Sequence, residues 1–257
     1  MMTPRQQLAA AVRPFGPGGV MLPRHIDPFN VFADALGIPR DGADSDQQIG
    51  LSAGDFAAAA KLLGCTVAQI RAVDEVESGS GWFSDVRSAI LDLDGPGGFI
   101  DGPHLPKILF EAHIFDRHTD GRFRAAHPNL SLASWNKALY VGGQGEWERL
   151  HRAMQLDRRA ALMSASVGRY QIMGFNHRLA GFATVEAYWD AMMDSERAHL
   201  DAFVAFISNA KLVNALRQIS NVHAANIPFA RGYNGTGYAK NQYHVKIAKA
   251  HKKWSGS

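Results

Sequence analysis

Apolar residues recur at three- and four-residue spacing along most of the chain beyond Leu51, the pattern of helices that bury one face. This spacing predicts helices over residues 130–140, 146–164, 184–209, 211–218, 222–231 and 239–253, with Thr184 and Asn221 as N-caps. No segment of 20–50 residues is repeated along the chain. The second half of the chain is therefore predicted to be helical.

Two shorter helices are predicted from their capping residues. Ser52 followed by Asp55 has the form of a capping box, and the apolar residues after it predict a helix that ends at Gly64. Thr66 followed by Gln69 starts a second helix, which runs to about residue 77.

The remaining segments have weaker periodicity. Residues 1–50 are rich in Pro and Gly and predict an extended arm with one short helix, whose polar linker over 40–48 leads into a folded domain over 51–257. Residues 82–106 predict an irregular or β-containing stretch, and residues 107–115 predict a short strand running into a turn or helix. The fold class is therefore α+β, predominantly α-helical, with a small β element.

Charge is distributed unevenly along the chain. The net charge is +3, yet residues 126–257 hold 16 Lys and Arg against 8 Asp and Glu, whereas residues 51–125 hold 7 against 11. A basic half beside an acidic one suits a polyanionic partner, such as a nucleic acid or a bacterial envelope. We interpret the basic run over 244–254 as the solvated face of a helix with Ile247 and Ala250 packed inward, rather than as a nucleic-acid or membrane surface.

Several classes of function find no support in the sequence. The single cysteine, Cys65, excludes an internal disulfide, and its apolar helical context predicts a buried thiol rather than a nucleophile. Neither a His-Glu-x-x-His motif nor a Gly-rich phosphate loop occurs, so we expect no metal and no cofactor. The sequence shows no signal peptide and no apolar run of the ~18 residues that a membrane span needs. We therefore expect synthesis in the cytoplasm and no stable membrane insertion.

The strongest candidate for chemistry is Glu77. On the second helix Ile70, Val73 and Glu77 fall at i, i+3 and i+7 and share an apolar face, whereas Glu75 points away. Burial and the negative end of the helix dipole both raise the pKa of a carboxyl group there. A carboxylic acid that stays protonated near neutral pH can protonate a leaving oxygen, as glycosidic cleavage requires. From the residues alone two alternatives stay open: Glu77 as a solvated helix end, and Asp74 as the acid.

Two later segments are candidates for lining a sugar cleft. In Ser166-Val167-Gly168-Arg169-Tyr170-Gln171-Ile172 the glycine permits close backbone approach, and the glutamine offers a donor and an acceptor. Phe229-Ala230-Arg231-Gly232-Tyr233-Asn234-Gly235 offers aromatic rings and an amide for sugar faces and acetamido groups. Ordinary alternatives stay open for both, a helix–helix junction for the first and an Asn-Gly turn for the second.

Together with Glu77-Ser78-Gly79, these two segments resemble, in their order, the lysozyme-like superfamily of goose-type lysozymes and lytic transglycosylases. A closer resemblance, over roughly residues 51–250, is to the bacterial and phage N-acetylmuramidase family found in many endolysins. The blocks that carry it are Val76-Glu77-Ser78, Lys107-Ile108-Leu109-Phe110-Glu111-x-His113-Ile114-Phe115, His127-Pro128-x-Leu130-Ser131, Gly142-Gly143-Gln144-Gly145-Glu146-Trp147-Glu148-Arg149-Leu150, Ala165-Ser166 with Gly168, Gln171-Ile172-Met173-Gly174-Phe175-Asn176, and Ala230-Arg231-Gly232-Tyr233-Asn234-Gly235.

This resemblance implies a lysozyme-like fold with its small β element next to the catalytic helix. It also implies hydrolysis of the β-1,4 bond between N-acetylmuramic acid (MurNAc) and N-acetylglucosamine (GlcNAc) in peptidoglycan. It assigns the general-acid role to Glu77 and favours Glu111, with Asp101 as the alternative, as the carboxylate that positions or activates water. A purely structural role for Glu111 stays open. The substrate-binding residues that it implies are Ser78, His113, Tyr170, Gln171, Tyr233 and Asn234. The chain departs from the family in a longer stretch before Lys107, where residues 84–98 look like an insertion.

Alternatives also stay open for the reaction and its setting. The cleavage could be retaining or inverting, because the separation of the two carboxyl groups decides between them. A lytic transglycosylase, which forms 1,6-anhydro-MurNAc with one catalytic Glu, and a non-catalytic peptidoglycan-binding module are the competing classes. A protein that acts in the periplasm or cell wall after release or delivery fits a phage endolysin. It also fits an interbacterial effector, whose partners would be a delivery machinery and an immunity protein. We expect no nucleic-acid partner.

Overall fold

The computed structural model describes residues 51–77, 82–83 and 105–256, together with isolated helical positions before residue 37. Chain contacts divide the molecule into one unit of Met1–Ile49 with Arg87–Pro103 and a second of Gly50–Val86 with His104–Ser257. In the first unit, Phe29, Phe32, Ala33 and Ala35 are helical. Ser78, Asp101, the linker over 40–48 and the stretch over 84–98 lie outside the described residues.

The second unit is mostly helical, as the apolar spacing predicts. Its α-helices are α1 (Ala53–Leu63), α2 (Val67–Glu77), α3 (Ala112–His118), α4 (Gly143–Leu156), α5 (Arg158–Met163), α6 (Val185–Asp194), α7 (Glu196–Asn209), α8 (Val213–Arg217), α9 (Ile227–Asn234) and α10 (Tyr243–Ser255). Short 3₁₀ turns lie at Lys137–Leu139, Gly174–Asn176, His223–Asn226 and Gly235–Tyr238.

Short antiparallel strands make up the β element. β1 (Trp82–Phe83) pairs with β2 (Leu105–Pro106), and a three-stranded sheet has the order β3 (Ile108–Phe110), β4 (Ala165–Val167), β5 (Ile172–Met173). β3 leads directly into α3, so the predicted strand running into a helix over 107–115 is confirmed. β4 and β5 form a hairpin, and the alternative of a helix–helix junction at this segment is therefore wrong.

The predicted caps of the first two helices are present. The Ser52 hydroxyl accepts from the Asp55 backbone N–H, and the Asp55 carboxylate accepts from the Ser52 backbone N–H. Gly64 ends α1 with a left-handed backbone, φ 60°. Thr66 and Gln69 make the same reciprocal pair before α2. Because a capping box involves only neighbours four residues apart or fewer, it can be predicted from sequence alone.

Three of the predicted helices do not form over the residues predicted. Residues 130–140 form a largely exposed loop that holds only a 3₁₀ turn. The helices expected over 146–164 and 184–209 are each broken in two. Asp157 and Ser195 have extended backbones, and their side chains accept from backbone N–H groups of the next helix, so each is the N-cap of a new helix. Asn221 is not the N-cap of the helix predicted over 222–231. Its side-chain oxygen instead lies 2.8 Å from the His251 ring Nδ1.

The core lies between α2, α10 and the helices that cover the sheet. Trp147 and Trp189 are fully buried and meet edge to face at 5.9 Å. α10 packs along α2, with Ile247 and Ala250 turned inward, as the sequence predicts for the basic run. The acid-bearing helix is therefore covered by a helix that follows it by more than 160 residues.

No single helix of the described part is long and apolar enough to cross a bilayer. The pair Ala53–Leu63 and Val67–Glu77 reaches that length and apolarity only when its two members are taken together, and they are bent by 112°.

Candidate active site

Glu77 is the last residue of α2, at the end of its apolar face. Ile70 and Val73 on that face are fully buried, and the Glu77 side chain is partly exposed. The Tyr243 hydroxyl, from α10, donates a hydrogen bond to Glu77 Oε1. Burial raises the pKa of Glu77 to about 7, against the opposing effects of the Tyr243 hydrogen bond and the positive charge of Lys246. The carboxyl group therefore titrates near neutral pH, as general-acid catalysis requires.

Aromatic rings stack behind this carboxyl group. Tyr243 is stacked on Tyr233 with ring centroids 6.5 Å apart, and Tyr233 is stacked on Phe229 at 5.3 Å. The Tyr233 hydroxyl donates to the Tyr170 backbone carbonyl at 2.7 Å. Tyr233 thus supports the residue that contacts Glu77, and it connects α9 to the β4–β5 turn.

The predicted sugar contacts of the β4–β5 turn are occupied within the protein. The Tyr170 ring is buried and stacked on Phe203 at 4.2 Å. Gln171 Oε1 accepts from the Ser166 hydroxyl at 2.9 Å, and its Nε2 donates to the backbone carbonyls of Lys107 and Gly168. These bonds hold the turn against β3. Asn234, at the end of α9, is exposed. Sugar binding by these residues stays a prediction.

Asp74, the rival acid on α2, is an ion-pair partner. Both of its carboxylate oxygens accept from Arg169, at 2.5 and 2.8 Å, and Arg169 also contacts Glu196 at 2.7 Å. Asp74 is thus committed to a bidentate ion pair, whereas Glu77 accepts from the neutral Tyr243 hydroxyl. Glu75 lies elsewhere, 2.8 Å from Lys253 Nζ.

Glu111 lies between the end of β3 and the start of α3, of which it is the N-cap residue. Its Oε1 accepts from the Tyr140 hydroxyl at 2.7 Å, and its Oε2 lies 3.2 Å from His113 Nδ1, an ion-pair distance without hydrogen-bond alignment. The Trp135 indole N–H donates to the Tyr140 hydroxyl at 2.7 Å. Two predicted site residues, Glu111 and His113, are therefore in contact with each other.

A buried ion pair holds the end of β3, directly before Glu111. Glu146 and Arg149 of α4 lie 2.9 Å apart, and they bind the Phe110 backbone N–H and carbonyl respectively. The other oxygen of Glu146 accepts from the backbone N–H of Val141. The Gly142–Leu150 block thus holds both β3 and the loop before α4, which positions Glu111 relative to Tyr140.

Lys240 lies close to the group formed by Glu111, Tyr140 and Trp135 in space, and close to Tyr243 in the sequence. Its Nζ lies 5.3 Å from the centre of the Trp135 ring, and it precedes Tyr243 by three residues. The short segment from Lys240 to Tyr243 therefore reaches from the Glu111–Tyr140–Trp135 group to the Glu77–Tyr243 pair.

The described residues provide neither a metal-binding cluster nor a reactive thiol. Those residues contain no group of three or more His, Cys, Asp or Glu side chains arranged to hold a metal ion. Cys65 is partly exposed rather than buried, and burial still raises the pKa of its thiol to about 11, so it stays protonated. A cavity of about 360 Å³ lies away from the carboxyl pair, lined by His118, Asp157, Arg159, Ala160 and Met163.

Sequence reasoning missed the aromatic partners of both carboxyl groups. Tyr243 lies in the helix predicted over 239–253, and Trp135 and Tyr140 lie in the helix predicted over 130–140. Tyr243 and Tyr140 each bind a carboxyl group far away in sequence, and Trp135 binds Tyr140, so no local spacing marks them. One sequence signal could have indicated them: bulky aromatic residues that lie beside polar residues are candidates for a binding surface.

Comparisons with known proteins show which family this chain resembles. The family model described as N-acetylmuramidase matches residues 66–255, a range that includes Glu77, Glu111, Tyr140 and Tyr243. A solved structure, described as the crystal structure of the Burkholderia AP3 phage endolysin, is similar with a TM-score of 0.65 and 34% identity. The match covers 83% of this chain and 74% of that one. No curated protein matches the sequence.

Proposed function

The chain belongs to the N-acetylmuramidase family and is a peptidoglycan hydrolase, and we propose that it cleaves the β-1,4 bond between MurNAc and GlcNAc with Glu77 as the general acid. The observation that carries the proposal is the Glu77 carboxyl group itself. It is partly exposed, it accepts a hydrogen bond from Tyr243, and its pKa is raised to about 7. A group of this kind is protonated in a large fraction of molecules at neutral pH and can give its proton to the leaving oxygen.

Glu111 is the proposed second carboxylate, which positions or activates the attacking water. Its support is its setting beside Tyr140 and His113 with 16% of its side chain exposed, so a water molecule can reach it. The Tyr140 hydroxyl donates to Oε1, and Oε2, which makes no aligned hydrogen bond with His113, can accept from a water molecule. Asp101 remains the alternative for this role, and Ser78, His113, Tyr170, Gln171, Tyr233 and Asn234 remain the proposed substrate contacts.

A lytic transglycosylase is the second candidate reaction. The observation that favours it is that Glu111 is already held by Tyr140 and His113, as a structural acid would be. In that reaction one catalytic Glu suffices, since the MurNAc 6-hydroxyl replaces water as the nucleophile. The products differ, with reducing MurNAc ends from hydrolysis and 1,6-anhydro-MurNAc ends from the transglycosylase.

Digestion of purified peptidoglycan, with products identified by mass spectrometry, tests the proposal. We expect reducing MurNAc ends from the wild type and their loss, by at least 100-fold, in Glu77→Gln. Glu75→Gln is the matched control, because it makes the same change on the same helix at a residue that pairs with Lys253, and it should retain activity. Anhydro ends that depend on Glu77 would make the enzyme a transglycosylase. Cleavage that survives Glu77→Gln would contradict the assignment of the acid.

For the whole chain, we propose a catalytic domain over residues 51–257 and an arm over residues 1–50. The proposed reaction is compatible with two roles in the cell. A phage endolysin would be released at lysis, and an interbacterial effector would be delivered and opposed by an immunity protein. Co-expression with the neighbouring genes of its source distinguishes them, since only an effector gains a gene product that binds it and abolishes its activity.

A further inference from the structure

Trp135 is the feature of the described surface that the catalytic proposal leaves without a role. Half of this large apolar residue is exposed. It is nevertheless held in place, because its indole N–H donates to Tyr140 and its ring meets the Tyr140 ring edge to face at 6.4 Å. An exposed aromatic ring with a fixed orientation contributes little to the core and is available to contact a ligand from solvent.

Lys240 gives the same surface a positive charge. Its Nζ lies over the Trp135 ring, and the described residues offer it no carboxylate partner. Its side chain is exposed, and it stands three residues before Tyr243, the hydrogen-bond partner of the proposed acid. A cation that has no carboxylate partner among the described residues, beside a candidate active site, attracts anionic parts of a ligand.

We propose that Trp135 and Lys240 form a glycan subsite next to Glu111, in which the indole stacks on an amino-sugar ring and the ammonium group pairs with a carboxylate carried by the muramoyl residue. This inference rests on the proposed function, because it concerns how the same glycan is bound beside the reacting bond.

The chemistry of the ligand fits both residues. One face of a pyranose ring presents C–H groups, which pack on an aromatic face and leave the hydroxyl groups at the ring edge for water and polar residues. The muramoyl residue also carries a carboxylate, either as its own lactyl group or within the attached stem peptide. GlcNAc carries none. Lys240 therefore distinguishes the muramoyl position from its neighbour, and so sets the register of the strand relative to Glu77.

Binding measured without turnover tests the stacking. In a Glu77→Gln background, titration calorimetry with soluble peptidoglycan strands should show about a tenfold loss of affinity for Trp135→Ala. Phe175→Ala is the matched control, since Phe175 is also a partly exposed aromatic residue, at 39%, but lies against His118. Its affinity should stay within twofold of the parent. The exposure of both residues keeps the fold intact, which circular dichroism checks.

The charge is tested on three ligands: strands that carry stem peptides, strands whose peptides an amidase has removed to leave free lactyl groups, and neutral chitin oligomers. Lys240→Gln should weaken binding three- to tenfold at low salt on one or both of the anionic ligands and leave chitin binding unchanged. Lys240→Arg should restore affinity. Loss on the peptide-bearing strands alone identifies the stem peptide as the source of the carboxylate, and loss on the amidase-treated strands identifies the lactyl group. Lys249→Gln, the same change on the exposed face of α10, should leave all three unchanged.

Three results would overturn the subsite. They are unchanged affinity in Trp135→Ala, an effect of Lys240→Gln no larger than that of Lys249→Gln, or equal weakening on chitin and on the anionic strands. These outcomes are separate from failure of the proposed reaction. That failure is read from the products of the active enzyme, whereas the subsite is read from binding by a protein that lacks the acid.

Discussion

The pKa of Glu77 is set by neighbouring groups whose effects oppose one another. Burial at the end of α2 favours the neutral carboxyl group, while the hydrogen bond from Tyr243 and the charge of Lys246 favour the carboxylate. The resulting pKa of about 7 is a compromise, and each of these neighbours is a separate means of changing it.

Removal of the Tyr243 hydroxyl should shift the pH dependence of the enzyme. In Tyr243→Phe the carboxylate loses a donor, so the pKa of Glu77 rises and the alkaline limb of kcat/KM moves to higher pH. The stacked ring is retained, which keeps Tyr233 in place. Profiles of kcat/KM against pH for both proteins measure the shift. A limb that stays in place would mean that a group other than Glu77 controls it.

The raised pKa of Glu77 also predicts how stability depends on pH. The folded protein holds this proton more tightly than the unfolded chain, whose Glu titrates near 4.5. Stability from this group is therefore fully present below about pH 4.5 and is lost as the pH rises through about 7. Glu77→Gln, which cannot ionise, should be more stable than the wild type by about 2 kcal/mol at pH 8 and no more stable at pH 4. Urea unfolding at both pH values measures this difference, and an equal difference at both would contradict it.

At the scale of elements, the β4–β5 hairpin depends on a glycine. Gly168 has φ +77°, and a Cβ there would lie 3.0 Å from the ring of the buried His199. Gly168→Ala should therefore cost about 2 kcal/mol of unfolding free energy, from backbone strain and overpacking together. Gly237→Ala, where a Cβ meets nothing within 4 Å, should cost less than about 1 kcal/mol. Urea unfolding of the two variants compares them, and equal losses would show that the turn is not constrained.

The elements that sequence reasoning predicted correctly are those determined by near neighbours. The cap at Ser52, the end of α1 at Gly64 and the start of α2 at Thr66 all depend on residues within one turn. The face of α10 that carries Ile247 also follows from spacing alone. In each case the interaction that decides the structure joins residues that are close in the chain.

Other elements could not be predicted because distant contacts decide them. β4 is a strand because it pairs with β3, whose residues lie more than 50 positions earlier. Residues 130–140 have helical spacing but form a loop, since Trp135 and Tyr140 turn outward toward Glu111 and Lys240. Long-range pairing overrides local propensity in both segments.

At the scale of the molecule, one arginine connects three parts of the domain. Arg169, in the β4–β5 turn, binds Asp74 of α2 and Glu196 of α7, and all three side chains are largely shielded from water. Each of these carboxylates would be left without its arginine if the guanidinium were removed. The network therefore fixes α2, and with it Glu77, relative to the sheet.

Loss of this arginine should destabilise the whole domain. Arg169→Met leaves two buried carboxylates without their cation, at a cost of about 3–5 kcal/mol. Arg122→Met breaks the exposed pair with Asp157 and should cost less than about 1 kcal/mol. Thermal or urea unfolding of the two variants gives the comparison. Similar costs would mean that water already screens the Arg169 network.

The sequence alone could predict some residues of the candidate site but not their contacts with distant residues. Glu77 could be found from one helical wheel, because its burial follows from Ile70 and Val73 on the same helix. Tyr243 could not, because its contact with Glu77 joins residues 166 positions apart. Gln171 is a predicted sugar contact from its motif, whereas only the fold shows that its amide is also bonded within the turn. A motif gives the residues of a site, but the fold decides which of them face inward.

The position of Tyr243 in the chain also sets the time at which the site is completed. A ribosome adds about 5–20 residues per second, so Tyr243 is made roughly ten to thirty seconds after Glu77. Until then α2 lacks both its covering helix and the hydroxyl group that its acid binds. Nascent chains and products of premature termination before residue 243 therefore hold Glu77 without the Tyr243 hydroxyl group and without the helix that covers α2. The surroundings that set the protonation of Glu77 are complete only when α10 has been made.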